Sequence, residues 1–242
     1  MLINADLKQI EVLVLAQLCK DLDLIKLLNQ GKDLHKFSAS KLYNKKEEDV
    51  TDEERSRSKE ATFELSYGAG ANSIALKTDK NVEWAKDFIS NFYSLFPDVK
   101  NWHNKIQEEV KKTSELVLFT GMRLKFKQYP AKYDWQDPNK LYYNPPEIKN
   151  YPVQHIAGMI MAILAGMFYR NYAVHKRNKY LLINTVHDSL MLDCKEDFID
   201  EAIEDIIKTL DKVSEVIYTL FNERLIVPLK IDVSIGDRWS DL

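Results

Sequence analysis

The sequence predicts an α+β protein: a small antiparallel sheet with helices before, between and after its strands. Three observations lead there. Apolar residues recur at helical spacing along most of the 242 residues. Only 7 Gly and 7 Pro are present, too few for a many-turned all-β architecture. The strand-like runs are short and widely separated, with helical stretches between them.

Taken in order, LINADL at 2–7 reads as a strand. Ile10 to Leu28 reads as one helix, with Leu13, Val14, Leu18, Leu22 and Ile25 on its apolar stripe and Gly31 as its stop. A short helix follows from about Asp33 to Tyr43, then a charged loop, NKKEEDVTDEE. Thr51 and Glu54 have capping-box spacing, which starts a helix that runs to Ser66 and breaks in YGAG at 67–70. Helices at 80–95 and 98–113 flank Pro97. ELVLFTGMRLKF at 115–126 reads as a hairpin turning at Thr120-Gly121, and YPAKYDWQDPNKLYYNPP as a long irregular loop. A long helix from Pro152 to His175, a hairpin over LLINTVHDSLMLD at 181–193, a helix over 196–222 and a last strand, LIVPLKIDVSI, complete the chain.

Composition narrows the function. A net charge of -3 excludes a chain that is basic throughout, so any nucleic-acid surface must be local. Two cysteines, Cys19 and Cys194, are too few for a disulfide framework and lack zinc-site spacing, which fits reduced core residues in an intracellular protein. No signal peptide is visible and no apolar run reads as long enough to span a bilayer, so no membrane partner is expected.

Three constellations carry chemistry. In NADLKQIE, Asp6 ends a strand and Glu11 lies in the first turn of the next helix; alone, each could simply favour that helix start. In RSRSKEATFELSYG, Arg55, Lys59, Phe63 and Tyr67 recur every four residues, forming a gently winding stripe of two cations and two rings. Such a stripe can neutralise phosphates and stack on a base, although a solvated helix face with two core aromatics has the same pattern. In VHDS, His187 and Asp188 fall at a hairpin tip, where an Asp can meet another from a neighbouring strand. Together, two carboxylates on separate strands with a cationic helix between them suit Mg²⁺ bound through carboxylates and substrate phosphates, and a pair of such ions clamps a phosphoryl displacement.

The order and spacing of these motifs resemble family A DNA polymerases, the DNA polymerase I type, across nearly the whole chain. DLKQIEVLVLAQL resembles the family's first palm motif through Asp6, Gln9, Ile10 and Glu11, with DLH and its His35 downstream. Arg55, Lys59, Phe63, Tyr67 and Gly68 match its fingers-helix pattern, and FYSLFP at 92–97 a later fingers segment. TGMR at 120–123, and Asn150, Pro152 and Gln154, resemble the primer-template side; VHDS resembles the third motif and VPLKIDVSIGDRW the C-terminus.

The resemblance implies two Mg²⁺ ions on Asp6, Asp188 and the backbone near Leu7. It implies dNTP contacts from Gln9, Glu11, His35, Arg55, Lys59, Phe63 and Tyr67, with Glu11 excluding a ribose 2′-OH. Arg123, Asn150, Gln154 and His187 would touch primer-template DNA. It divides the chain into palm at 1–43, fingers at 44–114 and palm at 115–242. Three positions depart from the pattern: Ser189 stands where Glu is common, Glu64 where Gly is common, and Lys8 where a small residue is usual. The first motif lies close to residue 1, so the expected partner is a second polypeptide supplying thumb and remaining palm, as in a split or truncated polymerase. Two alternatives stay open. A single-subunit RNA polymerase shares the palm, against which stand Glu11 and Phe63. An inactive palm-fingers module could bind DNA or a partner.

Overall fold

A computed structural model describes residues 1–130 and 140–242. Strand β1 (Leu2–Leu7) buries Ile3, Ala5 and Leu7 and turns Asn4 and Asp6 to the other face. The single helix expected from Ile10 to Leu28 is two helices, α1 (Ile10–Cys19) and α2 (Leu22–Asn29). Lys20 breaks them apart with a φ of 57°. Asp21 then caps α2, accepting the Leu24 N–H at 3.0 Å, and its other oxygen accepts the Asp98 N–H at 2.9 Å. Gly31, at φ 69°, closes α2 as expected. Helix α3 (Leu34–Leu42) is capped by Asp33, and a 3₁₀ turn at Glu47–Asp49 sits in the charged loop.

Helix α4 (Asp52–Ser66) starts on the expected capping box: Glu54 N–H donates to Thr51 Oγ1 at 3.2 Å, and Thr51 N–H to Glu54 Oε2 at 3.0 Å. The sequence reading has no counterpart for α5 (Ala71–Thr78), whose cap, Gly70, offers no side chain. Helices α6 (Val82–Leu95) and α7 (Pro97–Thr113) follow, with Pro97 in the first turn where its missing N–H costs nothing. β2 (Glu115–Val117) and β3 (Arg123–Lys125) form the expected hairpin, with Gly121 at φ 81°.

The long loop expected after β3 is partly regular: β4 (Gln128–Pro130) pairs with β5 (Leu141–Tyr143), while 131–139 lie outside the described residues. Helix α8 (Pro145–Phe168) begins well before Pro152, which lies inside it, and continues into a π turn at Tyr169–Ala173. Segment 145–173 is therefore long and apolar enough by length and composition to cross a membrane, unlike the expected shorter run; half of its apolar window is buried inside the protein. β6 (Tyr180–Val186) and β7 (Ser189–Cys194) make the second hairpin. A 3₁₀ turn at Glu196–Phe198 leads into α9 (Ile199–Phe221). The last strand, β8 (Ile231–Gly236), starts only after Pro228, later than expected, since Pro has no N–H for a ladder.

The chain forms two units. One comprises Met1–Val14 and Gln154–Leu242. Its four-stranded antiparallel sheet has the order β6-β7-β1-β8. Helix α9 buries Ala202, Ile206, Val213 and Ile217 at helical spacing. Its buried Asp205 accepts bonds from Tyr180 Oη and Lys176 Nζ, both at 2.5 Å, which tie α9 to β6 and leave no buried charge unpaired there. The other unit, Leu15–Val153, is mainly helical. Phe88, Phe92 and Phe96 fill its interior, and Ile106, Val110, Leu116, Phe126 and Ile148 form a second cluster. Cys19 and Cys194 are both free thiols.

Candidate active site

In the sheet-bearing unit, Asp6 on β1 lies opposite Ser189 on β7 and opposite Asp232 on β8. The Leu7 N–H donates to the Asp188 carbonyl at 2.9 Å, so Asp6 on β1 and Asp188 in the turn before β7 come side by side along the backbone at one end of the sheet. His187 and Asp188 form the turn closed by the Val186–Ser189 pair. The Ser189 hydroxyl is spent locally, donating to the Val186 carbonyl at 3.0 Å. Glu11, in the first turn of α1, accepts a bond from Gln154 Nε2 on α8. Gln9 begins α1 through its carbonyl, which accepts the Leu13 N–H at 3.0 Å. Its own Oε1 is buried without a hydrogen-bond partner among the described residues.

Backbone conformation singles out two of these residues. Among the described residues, Gln9, Lys20, Asn44, Asp79, Ser114, His187 and Asn222 are the non-glycines with positive φ. Lys20, Asn44, Asp79, Ser114 and Asn222 all sit at helix C-terminal ends, where the left-handed region is a common stop. Gln9 (φ 52°) and His187 (φ 51°) do not: one precedes a helix and the other makes a hairpin turn. Each neighbours a segment that carries a predicted metal-ligating aspartate. Strained backbone of this kind concentrates at functional sites.

The helical unit holds the second constellation. The buried face of α4 is Ser58, Ala61, Thr62, Leu65 and Ser66, and Thr62 and Ser66 return their hydroxyl protons to carbonyls one turn back. Phe63 and Tyr67 are therefore only half-buried, and the reading of them as core aromatics does not hold. Along the stripe, Lys59 Nζ lies 5.8 Å from the Phe63 ring centroid, and the Phe63 and Tyr67 rings are 6.3 Å apart.

Arg55 is held by Asp33, whose Oδ2 accepts from its Nε at 2.7 Å, while Oδ1 accepts the His35 and Lys36 N–H groups at 2.9 and 3.0 Å. Burial opposes the charge on Asp33, but the Lys36 N–H and the Arg55 guanidinium together hold it below the usual carboxylate range. His35 packs on Phe63 with ring centroids 5.7 Å apart, and burial pushes its pKa down to about 4. Sequence reasoning assigned Asp33 no role; as a helix cap it looks ordinary, and only the fold brings it to Arg55.

Gly68 ends this stripe at φ +80°. A Cβ there would lie 2.9 Å from Pro146 Cα and from Lys149 Cδ, so the end of α4 fits against the start of α8 only because the residue is glycine. Next to Lys149, Asn150 has its side-chain oxygen buried and without a partner among the described residues. Arg123 is exposed and ion-paired with Glu115 across the β2–β3 hairpin.

A sequence profile for DNA polymerase family A matches residues 1–241. The chain belongs to DNA polymerase family A. This goes with the DNA enzymes rather than the RNA-polymerase alternative. DNA polymerase I of Aquifex aeolicus is 26% identical over 242 residues, covering 98% of this chain and 38% of that protein. DNA polymerase I of Geobacillus stearothermophilus is 29% identical, covering 98% and 26%, and the thermostable DNA polymerase I of Thermus aquaticus 27% identical, covering 99% and 27%. This family A chain thus spans well under half the length of these relatives. Its fold matches the POL domain of Pol1 from M. smegmatis, solved in complex with DNA primer-template and dNTP, with a TM-score of 0.78 and 24% identity over 99% of this chain and 40% of that one.

Proposed function

We propose that this family A chain carries the nucleotidyl-transfer centre of a template-directed DNA polymerase, joining a dNTP to a primer 3′-OH. What supports the reading is the Leu7–Asp188 backbone bond together with the β1–β7 register, which set the backbones of Asp6 and Asp188, distant in the sequence, beside each other. In this reading residues 44–114 act as fingers, and 1–43 and 115–242 as palm.

Asp6, Asp188 and the backbone near Leu7 would hold two divalent cations, Mg²⁺. Their donor chemistry fits: oxygen ligands suit this hard ion, which takes one or two carboxylates and leaves its other positions to water and phosphate. When bound, such a pair of ions supplies activation of the attacking hydroxyl and stabilisation of the leaving pyrophosphate.

The chain's own side chains do the rest. Arg55 and Lys59 bind the triphosphate, Arg55 pre-aimed by Asp33. Phe63 stacks by the incoming nucleotide and Tyr67 lies near the nascent pair. Glu11, fixed by Gln154, excludes a ribose 2′-OH, and Gln9 and His35 complete the nucleotide contacts. His187, Arg123, Asn150 and Gln154 contact primer-template DNA. A second polypeptide supplying thumb and remaining palm is the partner we propose; mass spectrometry of whatever co-purifies with the chain tests it.

Primer extension with Mg²⁺, by the chain together with its co-purifying partner, tests the centre itself. Asp6→Ala and Asp188→Ala should each abolish synthesis, and dNTPs should be preferred to rNTPs. Unchanged synthesis by either variant refutes the metal assignment, and a preference for rNTPs refutes the DNA reading.

A further inference from the structure

The register between β1 and β8 places two aspartates, Asp6 and Asp232, directly opposite each other. Side chains of such a pair share one face of the sheet, and like charges placed so are destabilising. On the other side of Asp6, Ser189 brings no charge to offset this. Lys8 brings a positive charge to this face. Its N–H donates to the Lys230 carbonyl at 2.9 Å, so the ladder continues one rung past Leu7 and Lys8 lies two residues beyond Asp6, on the same face. Its ammonium reaches back to Asp232 Oδ1 at 3.1 Å.

We propose that Lys8 is a tethered counter-ion of the Asp6–Asp232 pair, one that sets how tightly a divalent cation binds at Asp6. It cannot coordinate a metal, having donors only. With no cation bound it offsets the repulsion between the two carboxylates. When a divalent cation approaches Asp6, the fixed positive charge opposes it and keeps Asp232 engaged. Lys8 is thus an affinity-setting residue, acting through charge rather than by contact with substrate. The proposal rests on Asp6 as a metal ligand.

A surface ion pair with a merely structural role would change stability slightly and leave cation affinity alone. The two roles separate in a Mn²⁺ titration of the full chain, with free Mn²⁺ counted by electron paramagnetic resonance. Lys8→Met should bind Mn²⁺ about three- to tenfold more tightly than the wild type at low ionic strength, and the gain should shrink as salt rises. Lys8→Arg, which keeps the charge, should match the wild type, and Lys8→Gln repeats the measurement if the Met variant does not fold. Unchanged or weaker Mn²⁺ binding on neutralising Lys8 overturns the proposal, provided Asp6→Ala abolishes a site that the wild type shows. If the wild type shows no Mn²⁺ site that Asp6→Ala removes, the metal assignment of Asp6 falls, and the proposal with it.

Discussion

Asp33 does two jobs with its two oxygens: one caps α3 and the other holds the Arg55 guanidinium at 2.7 Å. The arginine of α4 that we propose binds the triphosphate is thereby held by the residue that caps α3. Asn is as good a helix cap as Asp but lacks the charge that orients a guanidinium. Asp33→Asn should therefore leave stability within about 0.5 kcal/mol of wild type while raising the KM for dNTPs about tenfold, with a smaller change in kcat. An unchanged KM would mean that Arg55 needs no such support.

Two buried histidines make stability depend on pH. Burial pushes His35 down to about 4 and His103 down to about 3. In the unfolded chain both return to about 6.5, so between that value and their folded values only the unfolded state binds these protons. Stability is then fully present above about pH 6.5 and falls as pH drops, by up to about 1.4 kcal/mol per pH unit for each histidine. The loss levels off below the folded values. Urea denaturation at about pH 7 and about pH 5 should show the fall, before most carboxylates titrate. His103→Gln should roughly halve it, leaving the His35 share, since Gln still offers the Tyr93 hydroxyl, now 3.0 Å from His103 Nδ1, an acceptor that does not titrate.

Phe63 is half-buried, packed among His35, Lys59 and Tyr67. In the family this chain resembles, Phe at this position goes with poor use of dideoxynucleotides. Phe63→Tyr should raise the ratio of dideoxy to deoxy incorporation, read from chain-termination ladders. A constant ratio would count against this placement of the helix.

Gly68→Ala combines two penalties. A left-handed φ of +80° costs an L-residue about 1–2 kcal/mol. The new methyl group also collides with Pro146 Cα at 2.9 Å and Pro145 O at 3.0 Å, which are backbone atoms that cannot swing aside. The urea midpoint should fall accordingly, and a variant as stable as the wild type would show that the start of α8 can yield.

Much of the architecture was legible because it is written locally. The capping box at Thr51 and Glu54, the turn at Gly121 and the hairpin around His187-Asp188 all declare themselves within a few residues. The failures have equally local causes. Apolar periodicity runs unbroken across Lys20, and Asp21, the cap of α2, is one charge among several there, so the gap between α1 and α2 does not stand out. Helix α5 begins at Gly70, with no capping side chain to announce it. The start of α8 is masked by Pro145 and Pro146, read as loop although a first helical turn tolerates Pro well. Of the candidate site, spacing singled out Asp6, Glu11, Arg55, Lys59, Phe63, Tyr67, His187 and Asp188, while Gln9, His35, Arg123, Asn150 and Gln154 came only from the resemblance to family A. Asp33 and Asp232 could be found by neither, since their meaning depends on which helix or strand the chain brings alongside.

Gln9 and His187 carry a last implication, for redesign. Both hold a backbone shape that glycine adopts freely, and neither has the excuse of ending a helix. A sequence optimised on this backbone for thermal tolerance alone would write glycine at both, gaining about 1 kcal/mol each. It would also erase two side chains next to the proposed chemistry. Glycine scanning across the left-handed positions therefore sorts turns from tools: where catalysis survives the swap the residue was only a bend, and where it fails the protein had traded robustness for reactivity.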